Sequence, residues 1–182
     1  MDTYQGLRAA VVGGSIGGLT GALLLRELGF TVDVYERTPT LLENRGGGIV
    51  LQPTTMKWFG ERSARRIEEL STVTRHVRHL GGDNEVVHDD AVEWRYSSWS
   101  TIYRALLDDF GTDHYHLGEF CAGFDQDADG VTLRFVSGRT ETATWWSSPT
   151  ASPPPPAGGC SPTSYATTPD TSAGAAPSRR AR

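Results

Sequence analysis

Residues 7–37 read LRAAVVGGSIGGLTGALLLRELGFTVDVYER, and the fold is decided in this stretch. Leu7 to Val12 is a short apolar run that stops at glycine, as a buried parallel strand does. Gly13-Gly14-Ser15-Ile16-Gly17-Gly18 follows at once. Thr20 to Leu28 then places apolar residues at helical spacing, and Gly29 is the expected helix stop. Thr31 to Tyr35 alternates with β-branched residues and reads as a second strand, ended by Glu36. The predicted unit is strand, glycine turn, helix, strand and acid, which makes the fold class α/β and the unit a dinucleotide-binding βαβ.

The residue types fit that chemistry. Gly13 allows a tight turn after the strand. Ser15 stands where the GxGxxG pattern has its middle glycine, and as the next smallest choice it still lets backbone approach a diphosphate. Gly18 lets the helix pack close to the strand. The N–H groups at the helix start, with the positive end of its dipole, hold the diphosphate. Glu36 accepts a ribose hydroxyl, and it permits NAD as readily as FAD. A tight turn without a ligand is the alternative.

The length of 182 residues suits one domain, and the net charge of −5 argues against a general nucleic-acid binder. Arg75, His76, Arg78 and His79 form a local basic cluster, read as a solvated strand face. Cys121 and Cys160 are too few and too scattered for a disulfide framework or a zinc site, which points to a reducing cytosol. The first strand begins by Leu7, leaving no room for a signal peptide, and no apolar run approaches membrane-spanning length. The expectation is a soluble cytoplasmic protein with no membrane partner.

Further along, Thr38 to Gly48 reads as a loop, and Ile49 to Leu51 resumes an extended segment. Pro53 to Trp58 is a predicted short helix and Glu61 to Leu70 a longer one. Val73 to Leu80 is a strand, Gly81 to Asn84 a hairpin turn, and Glu85 to His88 the return strand. Trp99 to Phe110 is a helix capped by a serine among Ser97, Ser98 and Ser100, with Ile102, Leu106 and Phe110 on one face. Strands are expected at His114 to His116, Phe120 to Asp125, Val131 to Val136 and Arg139 to Ala143. Asp125, Asp127, Asp129 and Gly130 imitate the front of a calcium loop, but position twelve would be Val136 and strands flank it, so a hairpin turn is expected. His114 and His116 point to one side of their strand without an evident third metal ligand. His76 and His79 face opposite sides of theirs. No metal site is assigned.

Four motifs in order carry a resemblance: GGSIGGLTGALLLRELGFTVDVYER, RGGGIVLQP, SSWSTIYRALLDDFG and GFDQDADGVTLRFVSGRTETA. Over about residues 5–143 the chain resembles the N-terminal half of the class A flavoprotein monooxygenases, in the branch that holds 2,6-dihydroxypyridine hydroxylase. The resemblance implies a Rossmann-like FAD/NAD(P)-binding fold with an inserted small β-sheet, incomplete here. It implies FAD as cofactor, held at Gly13, Gly14, Ser15, Ile16, Gly17 and Gly18, with Glu36 on the ribose and Arg37 beside it. Arg45 and Gly48 match the loop near the flavin. Where Trp99 stands, many relatives have an arginine that contacts the cofactor, and Arg104, one turn on, is the candidate substitute; a solvated helix face is its other reading. The family uses NAD(P)H and oxygen to hydroxylate an electron-rich aromatic ring, so a small aromatic or hydroxypyridine-type molecule is the implied partner.

After Ala143 the character changes. The remaining residues lack periodicity, include a four-proline run and carry almost no acid, a composition expected to be disordered. Residues 1–143 are thus the expected partial FAD-binding domain and 144–182 a Pro/Ser-rich tail. The tail reads as an out-of-frame translation: codons begun one base earlier from Ala143 to Ser152 permit Asp-Leu-Val-Val-Val-Ala-Asp-Gly-Ile, close to the strand the family has here. A native linker is the alternative. On the out-of-frame reading the sheet lacks a strand and keeps an unpaired edge, and the chain carries no catalytic residue and no hydroxylase activity of its own. A non-catalytic nucleotide-binding remnant and an NAD(P)-binding reductase fragment are the rival readings.

Overall fold

A computed structural model of the chain describes residues 4–43 and 45–148. β1 (Arg8–Val12) runs into the glycine turn, α1 (Ile16–Glu27) doubles back, and β2 (Thr31–Glu36) lies parallel to β1, with Arg8 opposite Thr31 and Val12 opposite Tyr35. α1 starts four residues before the apolar spacing does, because Gly17 and Gly18 carry no hydrophobic signal. Gly29 ends it with φ +100°, its N–H donating to the Arg26 carbonyl at 3.0 Å.

Next come β3 (Gly48–Leu51), α2 (Pro53–Glu61), α3 (Ile67–Leu70), β4 (Thr72–Leu80) and β5 (Val86–Ser98). Two expectations are corrected in this region. The helix over 61–70 survives only as α3, because Ser63 turns its hydroxyl back to accept the Arg65 N–H at 3.0 Å, a local bond that competes with helix. The return strand reaches Ser98 rather than His88, since Asp89 and Asp90, which break the apolar alternation, find side-chain partners on β4. Asp89 pairs with His76 and Arg78, both at 3.0 Å, and Asp90 with His79 at 3.1 Å. β3, β5 and β4 form one antiparallel sheet in that order.

α4 (Trp99–Phe110) starts at Ser98, whose hydroxyl accepts the Thr101 N–H at 3.0 Å. It buries Ile102, Leu106 and Phe110 as the spacing predicts. β6 (Tyr115–Leu117) then pairs with β2, and β7 (Cys121–Gln126), β8 (Val131–Phe135) and β9 (Thr140–Ala143) form an antiparallel meander. Alternation along the parallel strands sorts two cores. Ala9, Val11, Val32 and Val34 face α1 and α4, while Ala10 and Tyr35 face Leu133 and Phe135 of the meander.

The abrupt change after Ala143 does not end the sheet. β10 (Trp145–Ser147) lies parallel to β1, with Trp145 opposite Ala9 and Ser147 opposite Val11, giving the order β10-β1-β2-β6. Trp145 packs on the helical core and Trp146 on the meander core, its ring 4.4 Å from Phe124. The edge expected to lie open beside β1 is therefore paired over three residues. The rest of the tail, from residue 149 onward, lies outside the described residues.

Candidate functional site

The site is built where β1 hands over to α1. Gly13 has φ +107°, and a β-carbon on Gly18 would stand 1.8 Å from the Gly13 carbonyl oxygen. Only glycine meets both demands. Ser15 is the N-cap of α1 in extended conformation, yet its side chain caps nothing, and the first turn holds no acid. The helical ladder begins with the Leu19 N–H on the Ser15 carbonyl at 2.9 Å, which leaves the N–H groups of Ile16, Gly17 and Gly18 without an intrahelical acceptor. Such an end can receive an oxyanion.

Glu36 closes the turn from the end of β2 and is only 5% exposed. Its Oε2 accepts the Gly14 N–H at 2.8 Å, and its Oε1 accepts the Thr38 N–H at 2.9 Å and the Thr38 hydroxyl at 2.5 Å. A carboxylate has about four acceptor positions, so one remains for a ligand hydroxyl. Thr38 was not legible as part of the site; its role follows from the chain reversing just past β2.

Two tyrosines also enter the site unannounced by the sequence. The Leu42 N–H donates to the Tyr103 hydroxyl at 3.3 Å, Tyr103 and Tyr115 share a hydroxyl bond at 3.2 Å, and the Tyr115 hydroxyl donates to the Gly14 carbonyl at 2.8 Å. Burial, the Tyr103 bond and the nearby Glu36 charge all push Tyr115 above its ordinary pKa, so it stays a donor. The strand alternation puts Tyr115 opposite in facing to His114 and His116, but only the sheet order reveals that it meets the glycine turn.

The Arg45–Gly48 loop is fixed to the start of α4: Ser100 donates its hydroxyl to the Arg45 carbonyl at 3.2 Å, and the Trp99 N–H reaches Gly47 at 3.0 Å. A β-carbon on Gly46 would meet Trp99 at 2.7 Å, and Trp99 stacks on Tyr103 with ring centroids 5.1 Å apart. The side chains of Arg37 and Arg45 are exposed. Arg104 pairs with Glu43 at 3.3 Å.

The tempting side groups have other employment. His114 and His116 both meet Asp33 Oδ1, at 3.0 and 2.9 Å. Burial raises the Asp33 pKa, but the bonds from His116 and His114 outweigh it and the net shift is downward. Asp127 Oδ1 accepts the N–H groups of Asp129 at 2.9 Å and Gly130 at 3.0 Å, closing a hairpin turn, and Asp125 pairs with Arg134. Among the described residues no group of three or more His, Cys, Asp or Glu is arranged to hold a metal, and no helix is long and apolar enough to cross a membrane.

Comparison with known proteins agrees with this geometry. Residues 11–48 match the NAD(P)-binding Rossmann-like domain family. The chain is 38% identical over 139 residues to 2,6-dihydroxypyridine 3-monooxygenase of Paenarthrobacter nicotinovorans, covering 76% of this chain and 35% of that one. It is 29% identical over 164 residues to 6-hydroxynicotinate 3-monooxygenase of Bordetella bronchiseptica, covering 75% of this chain and 38% of the other. Among solved structures, 2,6-dihydroxypyridine-3-hydroxylase from Arthrobacter nicotinovorans superposes with a TM-score of 0.73 at 36% identity, over 79% of this chain and 37% of that one. Klebsiella pneumoniae HpxO, solved with FAD and uric acid, shares the fold with a TM-score of 0.68 at 24% identity, over 80% of this chain and 40% of its own. The chain thus spans little more than a third of the length of the proteins it matches.

Proposed function

Because this chain belongs to the FAD-dependent aromatic monooxygenases, whose N-terminal part it matches, we propose that residues 1–143 bind the ADP portion of FAD. The carrying observation is the uncapped N-terminus of α1 beside a carboxylate already fixed at the end of β2. The Ile16, Gly17 and Gly18 N–H groups would take the diphosphate, and Glu36 would accept a ribose hydroxyl at its remaining position. Arg37, Arg45, Gly48 and Arg104 would act at the rim, where Arg104 must first leave Glu43. The turn fits the cofactor because Gly13, at φ +107°, and Gly18, whose β-carbon would strike the Gly13 carbonyl, let the chain close tightly ahead of the open N–H groups.

Bound FAD would supply the redox chemistry, with NAD(P)H and oxygen as co-substrates and a small aromatic ring as substrate in a complete chain. The residues described here bind and orient; none of them is assigned a proton-transfer or nucleophilic role. A reading as an NAD(P)-binding module rests on the family matched by residues 11–48, since Glu36 suits either ribose.

Thermal unfolding with FAD and with NAD separates the two. At a hundredfold excess over Kd, a specific ligand adds about 2.7 kcal/mol, and about 5–10 °C in Tm for a chain of this size. FAD is expected to give that shift, with a bound flavin absorption band, and NAD less. A shift with NAD alone would overturn the flavin assignment.

The out-of-frame origin of the tail is a proposal settled by the gene. Third bases through the codons for Ala143 to Ser152 that spell other residues in the shifted frame would dismiss it.

A further inference from the structure

We propose that Tyr115 is a positioning residue for the diphosphate turn, aiming the Ser15 N–H at the phosphates by holding the Gly14 carbonyl. The inference rests on the cofactor reading above and goes beyond it, because Tyr115 is buried and acts through the Gly14 carbonyl.

Gly14 is gripped at both ends. Its N–H donates to Glu36 Oε2 and its carbonyl accepts from the Tyr115 hydroxyl, both at 2.8 Å. The peptide between Gly14 and Ser15 is trans, since the described chain contains no cis bond. In a planar trans peptide the C=O and the following N–H point in opposite directions. With the Gly14 carbonyl turned inward to Tyr115, the Ser15 N–H is turned outward at the mouth of α1. It joins the three open N–H groups of the first helical turn.

The grip is preset. Tyr115 is 7% exposed on β6, and its own hydroxyl is held by Tyr103, which the Leu42 N–H holds in turn. Every bond in this relay has one direction: Leu42 N–H to Tyr103, Tyr103 to Tyr115, Tyr115 to Gly14. A β-carbon on Gly14 would come within 2.1 Å of the Tyr115 oxygen, so the glycine is what lets the hydroxyl reach the carbonyl. Without the hydroxyl, the Gly14–Ser15 peptide can rotate, and its orientation must be recovered when the ligand binds.

The test compares Tyr115→Phe with Leu133→Val, a buried change in the meander core that lowers stability away from the turn. Affinities for FAD and ADP are read by titration alongside the Tm of the ligand-free chains. Tyr115→Phe should weaken both ligands by about tenfold, as loss of one oriented hydrogen bond does, while Leu133→Val stays within about twofold at a similar loss of Tm. Equal affinities in Tyr115→Phe and wild type, or an equal loss in Leu133→Val, would overturn the assignment. A wild-type chain that binds neither FAD nor ADP would overturn the cofactor reading and this inference with it.

Should Tyr115→Phe not fold, hydrogen exchange on the ligand-free wild type decides. The Ser15 amide, turned outward by the Gly14 carbonyl's bond to Tyr115, should exchange at the rate of an exposed loop. Protection comparable to that of the β1 amides would show that the peptide is not held in this orientation and would overturn the assignment.

Discussion

The carbonyl oxygen of Gly13 occupies the space that a side chain on Gly18 would need, 1.8 Å from an ideal β-carbon, whereas Gly21, one turn on in the same helix, has nothing within 4 Å of its own. Gly18→Ala should therefore cost about 3 kcal/mol or more, because backbone has to move. Gly21→Ala should stabilise by about 0.5–1 kcal/mol through helix propensity alone. Urea unfolding of the two variants reads the contrast directly.

Glu36 supports three protein donors before any ligand arrives. Glu36→Gln keeps the shape but turns an NH2 toward one of those donors. It should cost about 1–3 kcal/mol in the ligand-free chain and also remove most of the FAD-induced rise in Tm. Loss of the ligand response without loss of ligand-free stability would mean that the bonds to Gly14 and Thr38 contribute nothing.

Asp33 links the two inner parallel strands to the edge through Arg8 at 3.5 Å and through His114 and His116. Its folded pKa is lowered, so it binds protons less readily folded than unfolded. Its stabilisation is complete above the unfolded value, about 3.9 for aspartate, and is lost as pH falls through the lower folded value. Asp33→Asn should be less stable than wild type at pH 7, with the gap closing below about pH 4. A gap that widens on acidification would reverse the sign of this linkage.

Ser98 terminates β5 and starts α4 with one hydroxyl. Ser98→Ala should cost about 1 kcal/mol, visible as a small drop in urea midpoint with unchanged slope.

Trp146 is half-buried against Phe124 on the meander side of β10. Trp146→Ala should cost about 1–3 kcal/mol, below the range for a fully buried tryptophan. An unchanged Tm would mean that residues 145–147 do not pair with β1 in solution.

Residues 7–37 declared their fold because each local signal agreed: apolar strand, small turn, apolar helix and terminal acid. The same agreement made α4 legible to its last residue. β5 was half hidden, because Asp89 and Asp90 interrupt the apolar alternation just past His88, and their partners on the basic strand opposite are visible only in the fold. Glu36 was legible as the acid that ends β2, but its bonds to Gly14 and Thr38 were not, since they depend on how the chain reverses beyond β2. Tyr115 and Tyr103 were invisible as site residues. Nothing local marks a tyrosine whose hydroxyl meets a turn 101 residues away, from Tyr115 to Gly14.

β10 shows why composition misplaced the boundary. Three residues suffice to pair with β1, and two tryptophans supply one large apolar side chain to each face of the sheet. In the shifted frame Leu-Val-Val would stand at these same positions, a pattern closer to that of a strand buried on both faces.

The bare amino end of α1 makes the choice of buffer part of any affinity measurement on this protein. On the proposal that this end takes a diphosphate, sulfate or inorganic phosphate at tens of millimolar would compete for the same amide cluster and raise the ligand-free melting temperature, masking a nucleotide's contribution. Chloride salts with a zwitterionic buffer would leave that cluster open to the nucleotide.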